Sequence, residues 1–230
     1  MKRAVIEAEN LAFAYAANSI LEISRLRVNA GSHTLICGDS GCGKSTLMNL
    51  ISGVVSGSTG NLRVLGQDLS ALSPAKRDRF RAQHIAVIFQ QFNLIPYLTV
   101  TENILLALRV AGQKKDHARI AAILDHLQIA HVARQRASEL SHGQQQRAAA
   151  ARALALNAEL ILADEPTSAL DDTNAKLFLE LLFGEAETNS RTIVVVSHDL
   201  RYRKRFDHVI DLAEVNRAVQ KSRPRARKSA

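Results

Sequence analysis

Residues 38–46, GDSGCGKST, constrain the fold of this 230-residue chain more than any other segment, because they fit the pattern GxxxxGK[ST]. A phosphate chain needs many converging N–H donors, and only glycine lets the backbone curl that tightly. An apolar run at 34–37 precedes the loop, and apolar residues at helical spacing follow it, which is the strand, loop and helix order of a phosphate-binding loop. We predict a phosphate-binding P-loop formed by Gly38, Asp39, Ser40, Gly41, Cys42, Gly43, Lys44, Ser45 and Thr46.

Three side chains of this loop have distinct expected roles. Lys44 would reach the β- and γ-phosphates of a nucleotide, and the hydroxyl of Ser45 would ligate Mg²⁺. Cys42 is most simply a small residue whose backbone N–H binds phosphate, and a redox role is the alternative. The other interpretation of the whole segment is a glycine-rich surface turn.

Short apolar runs recur along the chain with helical patterns between them, at residues 34–37, 85–89, 160–163 and 192–196. Strands that are buried on both faces have this pattern, and their alternation with helices predicts a mainly parallel sheet in an α/β fold. Residues 3–30 and 61–66 instead alternate apolar and polar side chains, which predicts an N-terminal antiparallel β subdomain.

Residues 93–150 look mostly helical, and we interpret them as part of an inserted α-helical subdomain. Thr99 and Glu102 have capping-box spacing, and Gly112 is placed to end the first helix. A second buried stripe follows, with Ile120 as its first member. We predict a single domain over residues 1–220, with a core of about 1–90 and 151–220, a helical subdomain of about 91–150, and a disordered basic tail at 221–230.

The net charge of +8 depends strongly on that tail, because five of its ten residues are Lys or Arg. We interpret it as a solvated tail, and weak contact with phospholipid or RNA is the alternative. The two cysteines, Cys37 and Cys42, form neither a disulfide framework nor a metal-ligand pattern, which fits a reducing cytosol. We expect no signal peptide and no membrane span, so at a membrane another chain would have to cross it.

The apolar run at 160–163 ends in two carboxylates, Asp164 and Glu165. Ligands of open α/β sheets bind outside the carboxyl ends of the strands, so Asp164 would hold Mg²⁺ and Glu165 would polarise the attacking water. His198 follows the run at 192–196 and Gln90 follows the run at 85–89. Taken singly, these two residues and Tyr15 are as consistent with structural roles as with functional ones.

Taken together, these motifs resemble those of the ATP-binding subunits of ABC transporters over nearly the whole chain up to about residue 213. They comprise the P-loop, the Phe89-Gln90 pair, the LSHGQQQR segment at 140–147, the run LADEPTSALD at 162–171, and Ser197-His198-Asp199. Within that family the chain is most similar to bacterial ATPases of lipoprotein release and macrolide export, which are related to a division-associated one.

The resemblance implies roles for each matching residue. Tyr15 would stack on adenine, Gln90 would sense Mg²⁺ and water, and His198 would hold the γ-phosphate. Glu165 would be the general base. In family members two copies join head to tail, so that each ATP lies between one copy's P-loop and the other copy's signature segment, which here comprises Ser141, Gly143 and Gln144, with Asp171 across the interface.

Two positions depart from the family's usual glycine. His142 lies inside the signature segment. In a passive interpretation, histidine tolerates the backbone angles of this position and its ring faces solvent. In an active interpretation, the ring becomes protonated as the pH falls and contacts the γ-phosphate. Asn216 stands in a C-terminal turn, where we expect it to adopt the left-handed backbone region that asparagine tolerates.

The resemblance implies ATP and Mg²⁺ as ligands, a second copy and integral membrane permease subunits as partners, and a peripheral place on the cytoplasmic face of the inner membrane. The apolar side chains around residues 92–98 would contact those subunits or belong to the core. The alternatives are a regulatory or cell-envelope ATPase and one that acts on nucleic acid or ribosomes. ATPases of this family that act on nucleic acid or ribosomes usually have two fused nucleotide domains or a long coiled-coil insertion. This sequence shows neither pattern, so we expect no specific nucleic acid as a partner.

Overall fold

The structure, a computed structural model, describes residues 3–168 and 170–222. In chain order the strands are β1 (Ala4–Tyr15), β2 (Asn18–Asn29), β3 (His33–Cys37), β4 (Thr59–Val64), β5 (Gln67–Asp68), β6 (Ile85–Ile88), β7 (Leu160–Asp164), β8 (Thr192–Val196) and β9 (His208–Asp211). The helices are α1 (Lys44–Ile51), α2 (Pro74–His84), α3 (Val100–Val110), α4 (His117–His126), α5 (His142–Ala155), α6 (Asp172–Thr188), α7 (Leu212–Val215) and α8 (Arg217–Ser222). Most of the predicted basic tail, residues 223–230, lies outside the described residues.

The larger sheet is parallel, with strand order β6-β7-β8-β3-β9. Every residue of β3 and β8 is buried, which explains why apolar residues dominate their sequences. The four predicted strands of this sheet are confirmed, and β9 joins them at the edge, where its residues are exposed or half-buried. Because all five strands run the same way, the loops that follow them meet along one edge of the sheet.

The smaller sheet is antiparallel, with strand order β2-β1-β4-β5, as the alternating pattern predicts. β1 and β2 form a long hairpin in which Ala4 pairs with Asn29 and Tyr15 with Asn18. The buried face of this hairpin packs with α1 and with one face of the parallel sheet, in a cluster that includes Ile36 and Leu47. The hairpin therefore packs against α1, the helix that follows the P-loop, and supports its position.

The helical region packs on the opposite face of the parallel sheet. The capping box of Thr99 and Glu102 begins α3 as predicted, and Gly112 follows the helix with a φ of 67°. The alanine-rich α5 continues through Ala155, beyond the expected subdomain boundary at residue 150, and joins the region to β7. Its small side chains let it lie close against the sheet, α3 and α4.

The longest helix among residues 3–168 and 170–222 is α6, with 17 residues. No helix in this part of the chain combines the length and the apolar character needed to cross a bilayer.

Candidate functional site

A cavity of about 1130 Å³ opens at the carboxyl edge of the parallel sheet, and we call it the P-loop cavity. The loops after β3, β6, β7 and β8 each contribute to it, as expected for strands that run in one direction. Its lining contains most of the predicted nucleotide and metal residues, namely Gly38, Asp39, Ser40, Gly41, Gly43, Lys44, Ser45, Thr46, Gln90, Asp164, Glu165 and His198.

Three glycines of the P-loop, Gly38, Gly41 and Gly43, have a positive φ that other residues rarely adopt, and at two of them a side chain would also clash. Gly38 has a φ of 147°, and a Cβ there would lie 2.7 Å from the Sγ of Cys42. Gly43 has a φ of 99°, and a Cβ there would lie 2.7 Å from the Cδ2 of Leu21 in β2. Gly43 also precedes α1, so the loop leads directly to a helix N-terminus, where free N–H groups attract anions.

Lys44 is only 9% exposed, although its side chain carries a charge. Its Nζ donates hydrogen bonds to the carbonyl oxygens of Gly38, at 2.7 Å, and Asp39, at 2.9 Å. The ammonium is thereby held inside the curve of the loop. Cys42 is also buried, and burial raises the pKa of its thiol, which supports the interpretation of this side chain as an uncharged filler.

Asp164 carries its carboxylate at the end of β7, where burial, and then the charge of Glu165, raises its pKa above the ordinary value. The hydroxyl of Ser45 lies near enough to this carboxylate to oppose that shift by lowering its pKa, and both side chains line the P-loop cavity. A half-buried carboxylate beside a hydroxyl is a set of oxygen ligands that fits Mg²⁺, which keeps several waters and takes few protein ligands. The exposed Gln90 side chain lines the same cavity and could supply a further oxygen.

Glu165 is held rigidly although it lies in a loop. Its Oε2 accepts a hydrogen bond from the Oγ of Ser197 at 2.7 Å, and its Oε1 accepts one from the backbone N–H of His198 at 3.0 Å. Its Oε1 also lies 2.8 Å from the Nδ1 of His198. Glu165 has a φ of 46°, a region that non-glycine residues rarely adopt and that often marks functional positions.

Burial differs within this pair, since the side chain of Glu165 is 11% exposed and that of His198 is 66% exposed. The glutamate is therefore fixed by the protein, whereas the histidine ring is free to contact a ligand as well. Ser197 belongs to the predicted Ser197-His198-Asp199 motif, but its role of fixing Glu165 was not predicted, because that role depends on a contact between two separate loops. Asp211, at the end of β9, also lines the cavity and was missed with its strand.

The predicted signature residues lie on a different surface. Ser141, Gly143, Gln144 and Asp171 line a separate cavity of about 420 Å³, together with Arg147 and Leu170, and we call it the signature surface. Apart from Tyr15 and Cys42, the predicted site residues thus divide into two groups, each lining its own cavity.

The signature surface is the N-terminus of α5. Ser141 is the N-cap, and the reciprocal hydrogen bonds between Ser141 and Gln144 form a capping box. Asp171 caps the neighbouring α6, and its carboxylate accepts hydrogen bonds from the N–H groups of Thr173 and Asn174. The N–H of Asn174 is the largest of the causes that lower the pKa of Asp171.

Gly143 lies in the first turn of α5 and is not required by its own chain. It does not have a positive φ, and a Cβ there would meet only the Cδ2 of Leu170, at an ordinary 3.8 Å. A glycine with space for a larger side chain suits a surface that something else approaches closely.

Tyr15 ends β1, where it is 47% exposed and lies edge-on to Phe13 with ring centroids 4.8 Å apart. It is not among the described residues that line the P-loop cavity, where Ile20 of β2 is the nearest apolar lining residue in sequence. Stacking of Tyr15 on adenine remains a prediction.

His142 is the first residue of α5 and has no positive φ, so the expectation of an unusual backbone at this position is wrong. Although exposed, its ring lies edge-on to the buried Phe92, with centroids 4.8 Å apart. Phe92 and Asn93 have φ of 55° and 50°, and Arg152 of α5 donates hydrogen bonds to both of their carbonyl oxygens. These contacts therefore hold the loop after Gln90 against α5, the helix that begins in the signature segment.

Asn216 also differs from expectation, because its φ of −94° and ψ of 103° are extended rather than left-handed. It is fully buried, and its amide bridges three segments. Its Oδ1 accepts from the N–H of Glu22, and its Nδ2 donates to the carbonyl oxygens of Ile20 and Cys42. Tertiary contacts rather than turn geometry explain this asparagine, which ties the P-loop to β2.

Comparisons with known proteins identify the family of this chain. Residues 21–168 match the family model described as ABC transporter. An uncharacterized ABC transporter ATP-binding protein of Mycobacterium tuberculosis, Rv0073, is 39% identical over 84% of this chain, which spans 60% of that relative's length. The lipoprotein-releasing system ATP-binding protein LolD of Xylella fastidiosa is 36% identical over 90% of this chain and 89% of its own. The macrolide export ATP-binding/permease protein MacB of Sodalis glossinidius is 34% identical over 93% of this chain and 34% of its own.

Solved structures show the same fold. The dimeric structure of MJ0796, a bacterial ABC transporter cassette, superposes with a TM-score of 0.82 at 32% identity, over 90% of this chain and 94% of that one. A dimeric post-hydrolysis state of the same cassette bound to ADP and Pi superposes with a TM-score of 0.80. The family match, the relatives and the fold lead to one conclusion: the chain belongs to the ABC transporter family of ATP-binding cassettes.

Proposed function

We propose that this chain binds ATP and Mg²⁺ and hydrolyses ATP as a head-to-tail dimer that drives a membrane transporter. The observation that carries the proposal is the fixed carboxylate of Glu165, which lies in the same cavity as Lys44 and Asp164. A general base and a phosphate-binding lysine in one cavity are what water attack on a terminal phosphate requires.

The phosphate chain would bind along the P-loop amides. Lys44 would exchange the carbonyl oxygens of Gly38 and Asp39 for phosphate oxygens, which are stronger acceptors because they are charged. Ser45, Gln90 and Asp164 would hold Mg²⁺, which supplies positive charge to the phosphate oxygens.

Glu165 would accept a proton from the attacking water. Ser197 and the N–H of His198 fix the carboxylate before substrate arrives, so little reorganisation is needed at the reaction step. The ring of His198 is exposed beside Glu165 and would orient the water and the γ-phosphate in line.

The second copy would complete the site. Ser141 and the helix N-terminus behind it form an anion-attracting surface that lies apart from the P-loop cavity of the same chain. Two copies arranged head to tail would bring each signature surface onto the other's bound ATP. The dimeric MJ0796 cassette supports this arrangement by similarity.

A membrane permease is the proposed partner, and the chain would lie against the cytoplasmic face of the membrane through it. The relatives that support this assignment are named for lipoprotein release and macrolide export. In the loop after Gln90, Tyr97 is 70% exposed and could contact such a subunit. A pull-down from detergent-solubilised membranes should recover an integral membrane protein, and recovery of ribosomes or DNA alone would overturn the transporter proposal.

Glu165→Gln is the direct test of the catalytic proposal. We expect ATP hydrolysis to fall by about a hundredfold or more, because a general base commonly contributes 10²–10⁴ in rate. ATP binding should persist, and the ATP-bound dimer should accumulate in size-exclusion chromatography. The matched control is Glu180→Gln on α6, where the carboxylate pairs with Arg205 away from the cavity. Wild-type turnover in Glu165→Gln would remove Glu165 as the base.

A further inference from the structure

A second large cavity, of about 640 Å³, lies at the opposite edge of the parallel sheet, and we call it the strand-start cavity. Its lining includes the residues that directly precede β6, β7 and β8, such as His84, Glu159 and Arg191. The loop after α3 and the first turn of α4 complete it with Gln113 and Arg119. The cavity therefore lies where the core sheet meets the helical region, a common position for small-molecule sites.

Two arginines of the cavity lining bring their guanidinium groups to one carbonyl oxygen. The Nη1 of Arg191 donates to the carbonyl oxygen of Leu154 at 2.8 Å, and the Nη2 of Arg119 donates to the same oxygen at 3.3 Å. Leu154 lies in the last turn of α5, where helix carbonyls lack intrahelical partners and cations are favourable. The helix end explains why the two arginines are close together. However, both guanidinium groups share a single acceptor, the carbonyl oxygen of Leu154.

Arg191 is the more unusual of the two. It is 3% exposed, and burial, followed by the positive charge of Arg119, lowers its pKa to about 10 while Glu185 opposes the shift. At neutral pH the group is charged all the same. Its Nη2 has no hydrogen-bond acceptor among residues 3–168 and 170–222, which is a costly state for a buried charged donor.

The acidic groups that face this cavity are engaged elsewhere. The carboxylate of Asp116 caps α4 by accepting a hydrogen bond from the backbone N–H of Arg119. Glu159 has its Oε1 3.5 Å from the Nδ1 of His84. Lys114 adds an exposed positive charge to the lining. The described lining thus brings together the positively charged side chains of Lys114, Arg119 and Arg191. One buried donor among them, the Nη2 of Arg191, has no acceptor in the described residues.

We propose that the strand-start cavity binds a small molecule through a carboxylate or phosphate group, which accepts hydrogen bonds from Arg191 and Arg119. An oxyanion supplies two parallel acceptors, the geometry for which a guanidinium is suited. The volume of the cavity falls within the range of small-molecule sites, roughly 300–1000 Å³. This site is separate from the P-loop cavity and does not depend on the proposed ATPase function.

Amide NMR of the full chain tests the proposal with two probes, inorganic phosphate and citrate, at constant ionic strength so that general screening does not change. The P-loop also attracts oxyanions, so the readout must resolve position. We expect saturable shifts of the amides of Asn157, Ser190 and Arg191 with at least one probe, separate from any shift of the P-loop amides. The tighter probe identifies the preferred anion. Shifts confined to the P-loop, or shifts that do not saturate with either probe, would overturn the site.

Variants assign the binding to the guanidinium groups. Arg119→Gln should weaken the saturable response by about tenfold or more, because it removes a charge-assisted donor. Arg109→Gln makes the same change at an exposed arginine on α3 that is not part of the cavity lining, and it should leave the affinity unchanged. Arg191→Gln should abolish binding if the chain still folds. Since Arg119 is only half-buried, Arg119→Gln is the decisive variant, and full affinity in it would refute the proposal.

Discussion

The P-loop cavity and the signature surface are both candidate contacts for one nucleotide, yet they are built differently. In the P-loop cavity charged groups are buried and held by the chain, as with Lys44 inside the loop curve and Glu165 against Ser197. On the signature surface the side chains of Ser141 and Gln144 satisfy each other at an exposed helix start. One region is preorganised for a charged ligand before that ligand arrives. The other offers mainly a helix end and a small residue.

This difference indicates where binding free energy would be gained. The P-loop cavity carries the cost of buried charge in the free chain and would recover it when phosphate and cation bind. The signature surface carries no comparable cost, so its contribution would arise only when a second copy approaches. The two regions should therefore respond differently to the same kind of substitution.

Mixing two inactive variants gives the largest expected effect. Lys44→Ala removes a phosphate contact, and Ser141→Arg blocks the signature surface, so each variant alone should lose about a hundredfold in ATPase rate or more. In a head-to-tail dimer of the two, one site combines the intact P-loop of one copy with the intact signature surface of the other. An equimolar mixture should recover about a quarter of the wild-type rate, because half of the dimers are mixed and each has one of two sites intact.

Circular dichroism and thermal unfolding would verify that both variants are folded, since Ser141→Arg also removes a helix cap worth about 1 kcal/mol. A mixture no more active than its components would mean that the P-loop and signature surface of one chain work together, which contradicts the head-to-tail arrangement.

Asp→Asn substitutions in the two regions should change stability in opposite directions. Burial and the charge of Glu165 raise the pKa of Asp164, so in the nucleotide-free chain its ionisation costs stability as the pH rises from about 4 through the raised value. Asp164→Asn should therefore unfold at a higher temperature than wild type at neutral pH, with the difference vanishing below pH 4. Backbone N–H groups lower the pKa of Asp171, so its charge stabilises the fold at neutral pH and Asp171→Asn should unfold at a lower temperature.

Differential scanning calorimetry between pH 3 and 8 measures both effects, and each variant is the control for the other. The same sign of change at neutral pH in both variants would show that the two carboxylates do not differ in the way their surroundings indicate.

Sequence patterns predicted the parts of the fold that depend on local chemistry. The P-loop and the acidic end of β7 were placed together because buried parallel strands end at one edge, and the capping box of α3 follows from spacing alone. The role of Asn216 was not predictable, because it depends on acceptors and donors almost two hundred residues away in β2 and the P-loop. The unpaired Nη2 of Arg191 likewise follows from packing, which a single sequence does not reveal.

His142→Gly tests the contact that links the two regions, in which the ring of His142 lies against Phe92 in the loop after Gln90. Loss of the edge-on contact should destabilise the chain by about 0.5–1.5 kcal/mol, measured by urea unfolding. Since the ring is occupied within its own chain, we expect the pH profiles of ATPase activity in the assembled complex to superimpose for wild type and variant. A profile that changes shape on acidification only in wild type would instead support a direct contact between the protonated ring and the γ-phosphate.

Gly143→Ala has the smallest expected effect on the free chain and separates the two regions most cleanly. Alanine is preferred over glycine in helices by up to about 1 kcal/mol, and a Cβ at this position meets only Leu170 at van der Waals distance, so the free chain should become slightly more stable. Gly184→Ala in α6 is the matched control, because its Cβ would also have space, with the Nε2 of His126 at 4.0 Å. Both variants should unfold at higher urea concentration than wild type, but only Gly143→Ala should weaken the ATP-dependent dimer, measured by sedimentation in a Glu165→Gln background. If the dimer forms equally well in both, the glycine serves its own chain rather than a close approach by the second copy.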